Sequence, residues 1–197
     1  MGDVATLSRA RPEPRRRNAE ATRAAILEAA KAQFARAGYD LTSLRDIAAE
    51  AGADVALIKR YFGGKEALFT EALKDSISPD RLRGWDRASF AREVATTMAG
   101  AVPADEARTH SFQFLLRAAT SPTTAPLLNL AVQERFLEPI RDWLGGEDAQ
   151  PRARVLAAVF IGCLVERLIR GEALPGRERD VFIERVASTF EALLGDG

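Results

Sequence analysis

An all-α fold is what this sequence predicts, on three observations. Apolar residues recur at three- and four-residue spacing through most of the chain. Alternating runs of β-branched residues, the mark of strands, are missing. Glycine and proline fall mostly between the periodic segments, with Pro139 the clearest exception. Read this way the chain holds about nine or ten helices and no internal repeat. A small three-helix unit comes first and a larger helical unit follows. Of the 197 residues 47% are hydrophobic, enough for a proper core.

Residues 1–17 read as a disordered basic arm. They hold Pro12, Pro14 and five arginines (Arg9, Arg11, Arg15, Arg16, Arg17) with few apolar residues. Such a run suits an arm that tracks phosphates, and equally a solvated tail. Asn18 to Ala37 is the first helix, with Ile26, Ala30, Phe34 and Ala37 at helical spacing and Gly38 closing it. Thr22 and Arg23 near its start are positioned to touch phosphate.

The next stretch is the most informative. Thr42 or Ser43 caps a second helix, with Asp46 three residues after Ser43 as an S-x-x-D start signal. Leu44, Ile47, Ala48 and Ala51 give it one apolar face, and Gly52 ends it. Asp54 caps a third helix. In it Ile58 and Phe62 share a side, while Lys59, Arg60 and Tyr61 face elsewhere. Gly63-Gly64 breaks it, and Lys65 opens a fourth helix running to about Ser76 with Leu68, Phe69 and Leu73 inside. Phe34, Leu44, Ile47, Ile58 and Phe62 are the expected small core. Helix, glycine turn, helix is the arrangement of a helix-turn-helix DNA reader.

The spacing Gly38-Tyr39-x-x-Thr42-Ser43-Leu44-x-x-Ile47-Ala48-x-x-Ala51-Gly52, followed by Ile58-x-x-Tyr61-Phe62-x-x-Lys65-Glu66-x-Leu68, resembles the N-terminal domain of the TetR family of transcriptional repressors. The likeness runs over roughly Thr22 to Leu73. It departs at Lys59, where the family usually has an aromatic, and at Ala53-Asp54, where it usually has Val-Ser. An aspartate still caps a helix, but a carboxylate near phosphates is less welcome. The resemblance implies DNA contacts from Thr22, Thr42, Ser43, Asp54, Val55, Ala56, Lys59, Arg60, Tyr61 and Lys65.

Beyond a break around Asp75 to Trp85, further helices are expected at about Ser89 to Ala101, Glu106 to Ala119 and Thr124 to Leu144. Pro139 predicts a kink or boundary in the last of these. Arg152 to Arg170 is apolar on nearly every face across its middle, and Glu178 to Leu194 carries a second apolar stripe. The resemblance divides the chain into 18–64 as the helix-turn-helix DNA-binding domain and 65–197 as a ligand-binding and dimerisation domain. It implies a homodimer through 152–170 and 178–194, a palindromic double-stranded operator, and release by a small apolar effector. The face with Val159, Phe160, Leu164 and Leu168 is expected to meet a symmetry mate together with Phe182, Val186 and Phe190. Apolar character makes Met98, Phe112, Leu115, Phe136, Phe160 and Cys163 the candidate pocket. A dimeric DNA- or partner-binding module without an effector stays open.

The residue inventory disfavours an enzyme. One His and one Cys cannot build most nucleophile–base pairs, a multi-ligand zinc site or an internal disulfide. No phosphate loop, Rossmann fingerprint or nucleophile elbow is present, so no cofactor is expected. Cys163 reads as a small buried hydrophobe, His110 as a surface or capping residue. Glu166 either pairs across an interface or lies on an exposed helix edge. No apolar run of ~18 residues and no signal-peptide core appear, so a cytoplasmic chain without a membrane span is expected. Net charge is zero, yet residues 1–38 carry 8 Lys and Arg against 4 Asp and Glu. The basic end adjoins the expected DNA reader.

Overall fold

The computed structural model describes residues 14–77, 86–100 and 106–195. Every regular element among them is helical: α1 (Pro14–Leu41), α2 (Leu44–Ala51), α3 (Val55–Phe62), α4 (Lys65–Ser76), α5 (Phe90–Ala99), α6 (Glu106–Thr120) and α7 (Ala125–Val132). A π-helical stretch (Gln133–Leu137) then leads into α8 (Glu138–Leu144), α9 (Ala149–Arg170) and α10 (Gly176–Leu194). Of the arm expected over 1–17, residues 1–13 lie outside the described residues. Residues 14–17 are not disordered but open α1. Proline has no N–H to lose in a first helical turn, so Pro14 starts the helix without cost.

The chain divides into two compact units between Ala72 and Leu73. The boundary expected after Gly64 falls earlier in the chain, and the reason is packing. Leu68, Phe69 and Ala72 are fully buried. The Phe69 ring meets those of Phe34 and Tyr39 edge-on, with centroids 4.9 Å away in each case. The first two turns of α4 thus complete the N-terminal core, with Ile26, Phe34, Ile47 and Ile58 also at 0% exposure. The run Pro14–Leu41 breaks at Gly38, whose φ of 80° and ψ of 171° suit glycine.

In the C-terminal unit α5 and α10 pack along one another. Phe90 sits edge-on to Phe190 at 5.6 Å and to Trp143 at 5.1 Å. Around them gather Val94, Met98, Ile140, Leu144 and Leu156. Two arginines close the end of this core. Arg87 donates to the carbonyls of Leu144 and Leu194, each at 3.0 Å, and Arg152 donates to Gly195 O at 2.9 Å and to Gly145 O. The negative ends of α8 and α10 are thereby neutralised together. At the other end Arg170 donates to Met98 O at 2.7 Å and Arg167 to Gly100 O at 3.3 Å, closing the end of α5. Pro139 acts as expected, by a specific route. It has no N–H, and its ring would crowd the carbonyl of Arg135. The chain widens ahead of it into the π-helical stretch, and Glu138 N–H reaches back five residues to Gln133 O.

The expected seam needs correcting. Phe190 is 0% exposed and belongs to its own chain's core. Val159, Phe160, Leu164, Phe182 and Val186 pack against the same core. The open apolar side of these helices is the opposite one, with Val155, Ile161 and Ile169 on α9 and Val181 on α10, exposed by 49%, 43%, 83% and 44%. Both stripes recur at helical spacing, so periodicity alone cannot say which one faces home. Glu166 lies on the exposed edge and pairs with Arg170 one turn on, at 3.0 Å.

Truncating Phe190 to alanine should open a cavity beside Phe90 and cost about 3–5 kcal/mol of stability. Denaturant unfolding followed by circular dichroism measures this. A loss below 1 kcal/mol would place Phe190 outside the core.

Candidate nucleic-acid interface

Local sequence rules set the geometry of α2 and α3. Ser43 caps α2 and its Oγ accepts the Asp46 N–H at 3.1 Å; the Asp46 carboxylate returns the bond to the Ser43 N–H, also at 3.1 Å. Hydrogen bonds from the Ser43 side chain and then its backbone hold the Asp46 carboxyl below the usual range. Gly52 leaves α2 in the left-handed conformation, φ 59° and ψ 34°, and turns the chain toward α3. A Cβ there would meet no neighbour within 4 Å, so backbone conformation alone selects glycine. Asp54 then caps α3, accepting Ala56 N–H at 2.7 Å. Gly63, at φ 87°, ends it.

Helix α3 buries only Ile58. Ala56, Lys59 and Arg60 are exposed, and Val55 and Tyr61 partly so. This short, capped helix presents small residues at its start and two cations beyond, the surface a major-groove reader needs.

Three of the expected contacts also hold bonds within the chain. Thr42 is 3% exposed, and its hydroxyl donates to Gly38 O at 2.7 Å. It pins the break after α1. The Asp54 carboxylate is engaged in its cap, which lessens the repulsion its charge would otherwise offer a phosphate. Thr22 donates its hydroxyl to Asn18 O at 2.8 Å and would have to rotate to meet DNA. Lys65 remains partly exposed, with its ammonium 4.5 Å from the Tyr39 ring centroid and 3.4 Å from Asp40 O. Tyr39, quoted above only as part of the motif, is the platform that orients this cation. The Gly-Tyr pair just before a buried threonine was the available signal.

In the C-terminal unit, four of the six candidate pocket residues belong to one core. Met98 is buried in the core, and Phe136, Phe160 and Cys163 pack against it, with the two rings 6.0 Å apart. Phe112 and Leu115 do not join them, because α6 packs chiefly with α7 among the described residues. Burial, and then the nearby Glu166 charge, push the Cys163 thiol up. The side chain of His110 lies outside the described residues. The last turn of α4 is held within this unit by Lys74, whose ammonium lies 2.8 Å from Glu134 in the π-helical stretch.

Comparison with known proteins agrees with this geometry. The family profile of bacterial regulatory proteins, tetR family, matches residues 26–72, and that of the tetracyclin repressor-like C-terminal domain matches residues 88–194. The HTH-type transcriptional repressor SCO4008 of Streptomyces coelicolor is 41% identical over 78 residues. That match spans 35% of this chain and 41% of the relative's length. NalD, the secondary repressor of the MexAB-OprM multidrug efflux pump in Pseudomonas aeruginosa, superposes with a TM-score of 0.62 at 22% identity, covering 85% of this chain and 95% of that one. A transcriptional regulator from Aquifex aeolicus superposes at 0.60 with 16% identity, covering 87% and 99%. At these identities the two superpositions speak for the fold alone.

Replacing Lys65 with alanine should weaken binding to all DNA sequences and flatten the log-affinity against log-salt slope by roughly one unit. Fluorescence anisotropy at several salt concentrations reads it. An unchanged slope would confine Lys65 to its contact with Tyr39.

Proposed function

This chain belongs to the TetR family of bacterial regulatory proteins, DNA-binding regulators and not enzymes, and from that premise we propose that it is a homodimeric repressor of a palindromic operator, released by a small apolar effector. The observation that carries the reading is α3 itself, capped at both ends, anchored by Ile58 and turning Lys59 and Arg60 outward. The repressor activity of the Streptomyces relative supports the sign of regulation. We place the protein in the cytoplasm with its operator; no described helix is long and apolar enough to cross a membrane.

A palindrome requires a two-fold protein, and α9 with α10 supplies a surface for one. Val155, Ala158, Gly162, Val165 and Ile169 fall at alternating three- and four-residue steps along α9, the seam pattern of packed helices. Val181 on α10 extends it. Covering this face with its own copy removes apolar surface that a monomer would leave in water. Two recognition helices about 34–36 Å apart then enter successive major grooves.

Effector control follows by population shift. Phe136 lies in the π-helical stretch with its ring 6.0 Å from that of Phe160, and a ligand lodging beside these rings would bias that stretch. Glu134 in the same stretch holds Lys74 at the end of α4, and α4 begins in the DNA-binding unit. A change of register around Pro139 is thereby relayed along α4, and operator affinity falls.

The variant Val155→Glu places two carboxylates on the two-fold seam. It should weaken the dimer by about 3 kcal/mol or more, roughly 100-fold. Sedimentation should find the wild type dimeric and the variant monomeric at micromolar concentration. Operator binding should be lost while helical content is kept. A monomeric wild type at that concentration would defeat the reading.

A further inference from the structure

One arginine in the N-terminal unit joins its own helix to two others. Arg23 on α1 donates from Nη2 to Glu71 Oε1 on α4 at 2.7 Å. Its guanidinium carbon also lies 4.8 Å from the ring centroid of Phe62, the last residue of α3. All three residues lie within the N-terminal compact unit.

The contact matters because of how little else holds that end of α3. Ile58 is the helix's single buried side chain, and the Asp54 cap secures its first turn. A helix fixed at its start and by one central side chain keeps freedom to tilt at its far end. Phe62 stands at that end, and the Arg23 guanidinium lies against it. Stability is not the reason for the arrangement. Arg23 and Glu71 side chains are 41% and 44% exposed, and an ion pair so open to water contributes little to folding. Base-edge hydrogen bonds, in contrast, demand geometry good to a few tenths of an ångström.

We propose that Arg23 is a positioning residue for operator recognition. Its guanidinium lies over the Phe62 ring while bonding Glu71, and so fixes the far end of α3 against α4. A lysine offers the charge but not the plane. The proposal rests on the DNA-binding reading and competes with a simpler role, in which Arg23 near the start of α1 contacts a phosphate.

Three full-length variants separate the two: Arg23→Gln, Arg23→Lys and Glu71→Gln, tested on an operator obtained by selection with wild-type protein. Positioning predicts that all three lose operator affinity by about fivefold to tenfold with an unchanged salt slope. It also predicts faster hydrogen exchange at the amides of Tyr61, Phe62 and Gly63, with exchange at Ile26 to Ala30 unchanged. A phosphate contact predicts instead that Arg23→Lys binds like the wild type. Glu71→Gln, by freeing the cation, would then bind more tightly with a steeper slope. Either of those results, or unaltered exchange in the last turn of α3, overturns the proposal. A wild-type chain that selects no DNA overturns the reading beneath it, and the exchange experiment then reports separately on the Arg23 contact.

Discussion

An eight-residue helix has no stability of its own in water, since nucleation costs more than two turns of hydrogen bonds return. Helix α3 is that short and must expose most of its side chains to be of use. Much of the N-terminal unit follows from this constraint. Asp54 and Gly63 satisfy its ends, Gly52 sets its direction, and Ile58 anchors it to a core of Phe34, Ile47 and Phe69. Thr42 fixes the chain entering α2, while Gln33 bonds Glu50 at 2.7 Å to keep α1 and α2 together. Contacts that would be minor elsewhere matter here because the element they hold has few others.

The C-terminal unit meets a different constraint, a helix apolar on more sides than its own chain covers. Helix α9 buries Ala149, Ala153, Leu156 and Ala157 against its own chain. It leaves Val155, Ile161 and Ile169 outside. Arg87, Arg152, Arg167 and Arg170 bind the carbonyls at both ends of the bundle, so the core is closed by cations rather than by more apolar residues. One apolar face remains open.

Features set by neighbours in the chain were legible from the sequence. The Ser43–Asp46 capping box, the left-handed Gly52 and the end of α3 at Gly63 obey rules spanning four residues or fewer. Features set by distant packing were not. Thr42 has the chemistry of a phosphate ligand, and only the approach of Gly38 O shows it to be a buried pin. Phe190 lies on a stripe equally suited to a partner, and only α5 decides that it belongs inside. Pro139 announced a disturbance, but whether the chain would bend, break or widen depended on the core around Leu137 and Ile140. The Arg23 contacts with Glu71 and Phe62 were not legible because those partners lie 48 and 39 residues away in sequence.

The central claim is that two copies read one operator symmetrically. Selection from random duplex DNA with purified protein, followed by measurement of the mass of the complex on the enriched site, tests it most directly. The expected site is an inverted repeat whose half-sites lie about one helical turn apart, occupied by two chains. Enrichment of an asymmetric site held by a single chain, or no enrichment at all, would contradict it.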